Sequence, residues 1–330
     1  MLINDIDVRE NDILARSKEL LSLLLVDQSR SLLLGKCSNI IWGTDTYSSL
    51  GHKESDYILI EDISGENGNV IQPRIKKSKA AQKGRSREKA EVFTPSWLCN
   101  KQNNLVDTRW FGRNNVFNIE IDKGWKTISR PIPFPTKDGK HWIDYVTEQR
   151  MEISCGEAPY LVSRYDTITG APIPIDNRIG LLDRKLRVVS ENATTQEEWH
   201  KWAEEAYKSI YAFEWQGDNL LLARENLLFT YIDAFQAKFH EDPRIEELSR
   251  IASIISWNIW QMDGLKAVIP SSCHEEIIKQ EGLLFDSDNT ISKKCPGCET
   301  DDINRHNGIA CYIMDWEKET PVLFRSLLKS

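Results

Sequence analysis

Met151-Glu152-Ile153-Ser154-Cys155-Gly156 is a short apolar run that ends in a turn of small residues, the pattern of a strand that brings its carboxyl end up to a ligand. Two later runs repeat it. Tyr211-Ala212-Phe213-Glu214 stops on an acid, and a short strand over Trp257 to Met262 stops at Asp263-Gly264. Amphipathic helices separate the runs. Thr195, Gln196, Glu197 and Glu198 form a capping box ahead of Trp199, Trp202, Ala203, Ala206 and Ile210. Leu221, Leu228, Ile232, Phe235 and Phe239 lie on one helical face, and Asp242-Pro243 should start a helix carrying Leu248, Ile251, Ala252 and Ile255. Strand and helix alternate from Glu91 onward, so an α/β fold is expected.

The rest of the chain sets the surroundings. Its 330 residues are 40% hydrophobic and 28% charged, enough for one large core or two ordinary ones. No basic start leads into an apolar run, and the stretch from Leu20 to Val26 is far too short to span a bilayer. Seven scattered cysteines fit a reducing compartment, so a cytoplasmic protein with no membrane partner is expected. A helix capped by Asn11 or Asp12 should bury Ile13, Leu14, Leu20, Leu21, Leu24 and Leu25, and Ser64 to Asn69 reads as a turn or hairpin tip.

The net charge of -8 argues against a non-specific coat on nucleic acid, yet eight bases (Arg74, Lys76, Lys77, Lys79, Lys83, Arg85, Arg87, Lys89) face one acid, Glu88. Lys76, Lys77, Lys79, Lys83, Arg85 and Arg87 are therefore candidate contacts to DNA phosphates, against the blander reading of a solvated linker. Further on, Cys295-Pro-Gly-Cys298 has zinc-knuckle spacing, and His306 and Cys311 could close a tetrahedral, structural zinc site, with Cys273-His274 as alternatives. Reduced cysteines without a metal are the competing reading.

Glu91-Val92-Phe93-Thr94-Pro95-Ser96-Trp97-Leu98, Glu152 to Leu161, and Tyr211 to Glu214 with Ala223 to Leu227 together resemble the adenine-specific DNA methyltransferases of restriction-modification systems. The chains termed restriction enzyme subunit M are the nearest in kind. The resemblance implies a Rossmann-like, S-adenosyl-L-methionine-dependent sheet over residues 91 to 330. An N-terminal extension over 1 to 90 precedes it, and the knuckle is an insertion at 272 to 312. It implies that Phe93, Thr94 and Pro95 help hold the cofactor, and that the first motif falls on Glu152, Cys155, Gly156, Ala158 and Tyr160. Glu214 becomes the ribose acid, Trp215 a stack for adenine, and Asp263 the acid of the third strand end.

Departures qualify this picture. Ile153 and Ala158 stand where the family has Pro and Gly, and 58 residues separate Gly156 from Glu214 where roughly 20 are expected. The added stretch, Thr167 to Asn192, should contain a helix. No Pro-Pro dipeptide occurs, so the Asn/Asp-Pro-Pro-Tyr/Phe motif that grips a flipped base is absent, and Asp315-Trp316 reads as a strand-to-turn junction. The expected function is a cofactor-binding subunit or fragment of a site-specific adenine methyltransferase, incomplete alone and served by a second subunit with the methyl-transfer motif and target recognition. The alternative is a catalytically inactive, methyltransferase-like chain that binds DNA or a partner.

Overall fold

The computed structural model describes residue 6 and residues 9–88, 91–279 and 290–328. Twelve helices and nine strands are found among them. The helices are α1 (Glu10–Arg16), α2 (Lys18–Leu25), α3 (Gln28–Leu34), α4 (Ile60–Ile63), α5 (Lys79–Glu88), α6 (Ser96–Phe111), α7 (Trp142–Thr147), α8 (Leu181–Asn192), α9 (Gln196–Lys208), α10 (Gly217–Phe239), α11 (Ile245–Asn258) and α12 (Pro296–Thr300). The strands are β1 (Asn118–Ile121), β2 (Gly124–Thr127), β3 (Arg150–Ile153), β4 (Ile210–Glu214), β5 (Ile259–Gln261), β6 (Glu276–Lys279), β7 (Thr290–Lys293), β8 (Tyr312–Asp315) and β9 (Thr320–Leu323).

The three strand runs of the sequence become one parallel sheet in the order β3-β4-β5, and the other strands form antiparallel two-stranded hairpins. The fold is therefore mixed α/β with small sheets. Parallel strands need long crossovers, and the β3 to β4 crossover carries two helices, α8 and α9, which accounts for the long gap after Gly156. Each face of the sheet meets a different layer. Ala212 and Ile259 point into the large helical core with residues of α2, α8, α9, α10 and α11. Phe213 and Trp260 point the other way, against Met262, Ala267, Ile269, Cys311 and Phe324 of the C-terminal segments.

Local expectations were met with shifts at the ends. Thr195 Oγ1 accepts the Glu198 N–H at 3.1 Å and starts α9, and the helix within Thr167 to Asn192 is α8. The first predicted helix is two, because Ser17 adopts an extended backbone and caps α2 through the Glu19 N–H. Helix α11 takes Arg244 as its N-cap rather than Asp242, and it continues to Asn258, leaving only three residues for β5. Gly65–Asn67 is a single 3-10 turn with no hairpin around it. Among the described residues no helix is long and apolar enough to cross a membrane.

The fully buried Arg224 of α10 locks these layers together. It donates to the carbonyls of Leu24 (2.6 Å), Val26 (2.9 Å), Ile259 (2.8 Å) and Ser256 (3.3 Å), joining the end of α2 to α11 and β5. Burial lowers its pKa to about 10, so it stays charged at neutral pH. Arg224→Met keeps much of the volume but strands those carbonyls, and an unsatisfied buried group costs about 1–3 kcal/mol. A loss of roughly 3 kcal/mol or more is expected in urea unfolding; an unchanged midpoint would refute the clamp.

Candidate functional site

Beyond the end of β3 the chain turns through three left-handed residues, Ser154 (φ 49°), Gly156 (φ 54°) and Ala158 (φ 62°). Such a backbone strains residues that carry a Cβ, by roughly 1–2 kcal/mol each, so side-chain anchors must hold the turn. Two carboxylates do so. Glu152 accepts the N–H groups of Tyr160 (3.4 Å) and Leu161 (3.2 Å), and Glu214, at the end of β4, accepts those of Gly156 (2.9 Å) and Gln216 (3.2 Å). Burial raises the pKa of both acids, and the backbone N–H groups partly offset it.

The turn forms one wall of a cavity of about 710 Å³. Phe93, Thr94, Glu152, Cys155, Gly156, Tyr160, Glu214 and Trp215 all line it, so the structure gathers most of the expected cofactor residues in one place. The Phe93 ring lies over Gly156, and Arg74 stacks on that ring with its guanidinium carbon 5.0 Å from the centroid. Thr94 is pinned by its carbonyl, which accepts the Thr167 hydroxyl at 3.1 Å. Three expected residues stand back from the cavity. Pro95 is the N-cap of α6, Ala158 is buried in the core beneath the turn, and Asp263 is used up in its own turn by the N–H groups of Leu265 and Lys266.

Near the third strand end the extension takes over from Asp263. Gln261 exchanges hydrogen bonds with the Ile41 backbone at 2.9 and 2.8 Å, and the Trp215 Nε1–H donates to the Gly43 carbonyl at 3.0 Å. Gly43 and Glu54 of the extension, with Gln216 and Asn219, line the cavity unannounced by the sequence. Nothing in their local pattern marks them, because the fold alone brings residues 40 to 54 to the end of β4. Glu54, Glu91, Glu152 and Glu214 are the carboxylates of the described lining, which includes no lysine or arginine.

The basic run splits into two faces. Arg85 is buried, grips Asp218 with two nitrogens (2.8 and 3.1 Å) and also pairs with Glu91, while Lys77 reaches Asp218 at 3.2 Å. Arg85 is therefore a structural ion-pair partner rather than a phosphate contact, and Lys77 is largely turned inward with it. Against the push of burial, Lys77 and Arg85 hold the Asp218 carboxyl well below the usual range. Lys76, Lys79, Lys83 and Arg87 are exposed, the last three at four-residue intervals on α5, and Lys89 lies outside the described residues.

The cysteine cluster differs from expectation in one ligand. Cys273, Cys295, Cys298 and His306 place their ligand atoms within 4.8 Å of one another, a group that could hold a metal ion. His306 Nδ1 lies 3.6, 3.7 and 3.6 Å from the sulfurs of Cys273, Cys295 and Cys298. Tetrahedral bonds of about 2.1 Å to nitrogen and 2.3 Å to sulfur would leave close to these separations. Cys311 is elsewhere, buried against the Gln261 carbonyl at 3.5 Å, so Cys273 takes its place. Burial opposes ionisation of Cys295, but N–H groups led by that of Asn307 bring its thiol down to about 6. Gly297 is required by close approach, since a Cβ there would sit 2.5 Å from the His306 backbone nitrogen.

Exchanging ligands separates the two assignments. Purified Cys273→Ser should lose its metal in elemental analysis, whereas Cys311→Ser should keep it; the opposite pattern would restore Cys311 as the ligand. No protein-family model, curated protein or solved structure matches this chain.

Proposed function

We propose that this chain is the S-adenosylmethionine-binding subunit of an adenine-specific DNA methyltransferase from a restriction-modification or phage-defence system. One observation carries the reading: a 710 Å³ cavity at the carboxyl ends of parallel strands, lined by four glutamates, of which Glu91 is paired with Arg85 behind it, and by no described lysine or arginine. Ligands of wound α/β sheets sit at such ends. Nucleotides with phosphate tails call for positive or N–H-rich walls, whereas a sulfonium bearing an ammonium group suits an acidic one. On this reading the three strands are one half of a Rossmann-like sheet.

Each wall residue then has a task. Glu214 accepts ribose hydroxyls, Trp215 offers a half-exposed ring for adenine, and Phe93 closes the side over Gly156. Bound S-adenosylmethionine supplies an electrophilic methyl group, and this chain's part is to bind and orient it. The three sulfurs and one nitrogen of the cysteine cluster suit zinc, and four protein ligands make its role structural. Lys79, Lys83 and Arg87 recur about every 6 Å along α5, a spacing that lets them neutralise successive phosphates.

Two measurements test the reading. Calorimetry should find S-adenosylmethionine binding that Glu214→Gln weakens by about 10–100-fold, the worth of a charge-assisted hydrogen bond. Because burial raises Glu152 and Glu214, each carboxyl holds its proton to a higher pH than an ordinary glutamate and gains its charge only as pH rises further. Affinity for the cationic cofactor should therefore increase from acid toward neutral pH. No binding, or the reverse trend, would refute the assignment. Separately, replacing Lys79, Lys83 and Arg87 with Glu should abolish the salt-dependent shift of a duplex oligonucleotide, while an unchanged shift would move the DNA surface elsewhere.

A further inference from the structure

We propose that a second cavity, between α8 and α10, binds a free α-amino acid with an aliphatic side chain, its carboxylate on Arg178 and its ammonium group on Asp183. The cavity holds about 400 Å³, a size common among small-molecule sites, and shares no lining residue with the glutamate cavity. Helices α8 and α10 supply most of its wall. The end of β2 and the turn Ile175–Asn177 contribute the rest.

Three buried polar atoms of this lining have no partner among the described residues. Arg178, whose side chain is 9% exposed, gives one terminal nitrogen to Asp233 at 2.6 Å and its Nε to the Ile173 carbonyl at 3.4 Å, while Nη1 bonds nothing. Asp183, 7% exposed, crowds three donors onto Oδ2: the Ser163 N–H and hydroxyl, both at 2.8 Å, and the Gly180 N–H at 3.0 Å. Its Oδ1 is left over. The Thr230 hydroxyl of α10, 1% exposed, is unpaired as well, although a helical threonine can bond a carbonyl one turn back. Buried polar groups are almost always paired, so three at one cavity mark a built site.

Charge selects the ligand. Asp233 is shared between Arg178 and Arg164, the latter at 3.2 Å, so two cations there meet one acid. Burial holds the Asp183 carboxyl above its ordinary range, and Arg178, the first of the groups that offset this, acts through space without bonding it. A carboxylate against Arg178 and an ammonium group against Asp183 would complete both. Across the whole lining Arg178, Arg187 and Lys238 balance Asp176, Asp183 and Glu191, which suits a zwitterion and not a phosphate tail. The Thr230 hydroxyl can donate to the one group or accept from the other. Ile175, Leu186 and Ala234 offer apolar surface to an aliphatic side chain, and the exposed Ala237 stands at the rim.

Calorimetry of the full chain with glycine, L-alanine, L-valine, L-leucine, L-isoleucine and L-methionine tests the site. At least one of the aliphatic probes should bind, and its N-acetyl and amide derivatives, each lacking one of the two charges, should bind about tenfold more weakly or worse. Ala237→Trp, a change at the exposed rim, should keep the parent's melting temperature and lose the binding. Thr230→Val, which removes a hydroxyl that no described residue bonds, should melt no earlier than the parent without ligand and bind the probe more weakly. No binding by any of the six, equal binding of the derivatives, or binding that survives in Ala237→Trp would overturn the assignment. So would a Thr230→Val chain that melts early, the mark of a hydroxyl already satisfied by water.

Discussion

Asp218 is the point on which the rest of the structure turns. It sits in the first turn of α10, directly after β4, where the helix dipole already favours a negative charge. Its carboxylate takes a hydrogen bond from Tyr47 and ion pairs from Lys77 and Arg85, so one side chain fixes the extension and the basic helix to the sheet. A buried charge is tolerated only when it is paired and hydrogen-bonded, and truncating one partner of such a cluster leaves the others desolvated and alone. Because Arg85 also holds Glu91, the chain enters the cavity at Val92 and Phe93 along a fixed path.

The sequence showed the strands well, because Met151 to Gly156 and Tyr211 to Glu214 carry their signal in local pattern. Their assembly into one sheet, and the cavity at its end, needed only the rule for parallel strands. What could not be read depends on contacts between distant residues. Gln261 reaches Ile41, Trp215 reaches Gly43 and Arg85 reaches Asp218, each across more than 130 residues. A charge run looks uniform in sequence until a helix sorts it by face, which is why Arg85 and Lys83 part company. Cys311 was a reasonable fourth ligand on spacing, yet spacing does not record that its sulfur faces the sheet.

Asp263 teaches a related lesson about strand ends. An acid followed by Gly at the end of a strand serves equally well as a ligand acceptor or as a cap for its own turn, and here the turn's N–H groups have it. Glu214 also accepts backbone N–H groups, but they belong to the turn that lines the cavity, so holding the turn and facing the ligand are compatible. Ala158 marks the cost of this arrangement. Its left-handed backbone would suit glycine, and its buried methyl fills the core instead.

The open edge of β3 has a consequence for handling the chain on its own. Strand β3 pairs with β4 on one side only, and its free edge beside the exposed Met151 and Ile153 is a site for unwanted pairing, the same feature that seeds aggregation in other sheets. Two properties limit the hazard: the strand is short, and a net charge of -8 keeps copies apart at low ionic strength. Salt weakens that repulsion and leaves the apolar edge untouched, so the colloidal stability of the isolated chain should fall as salt is added.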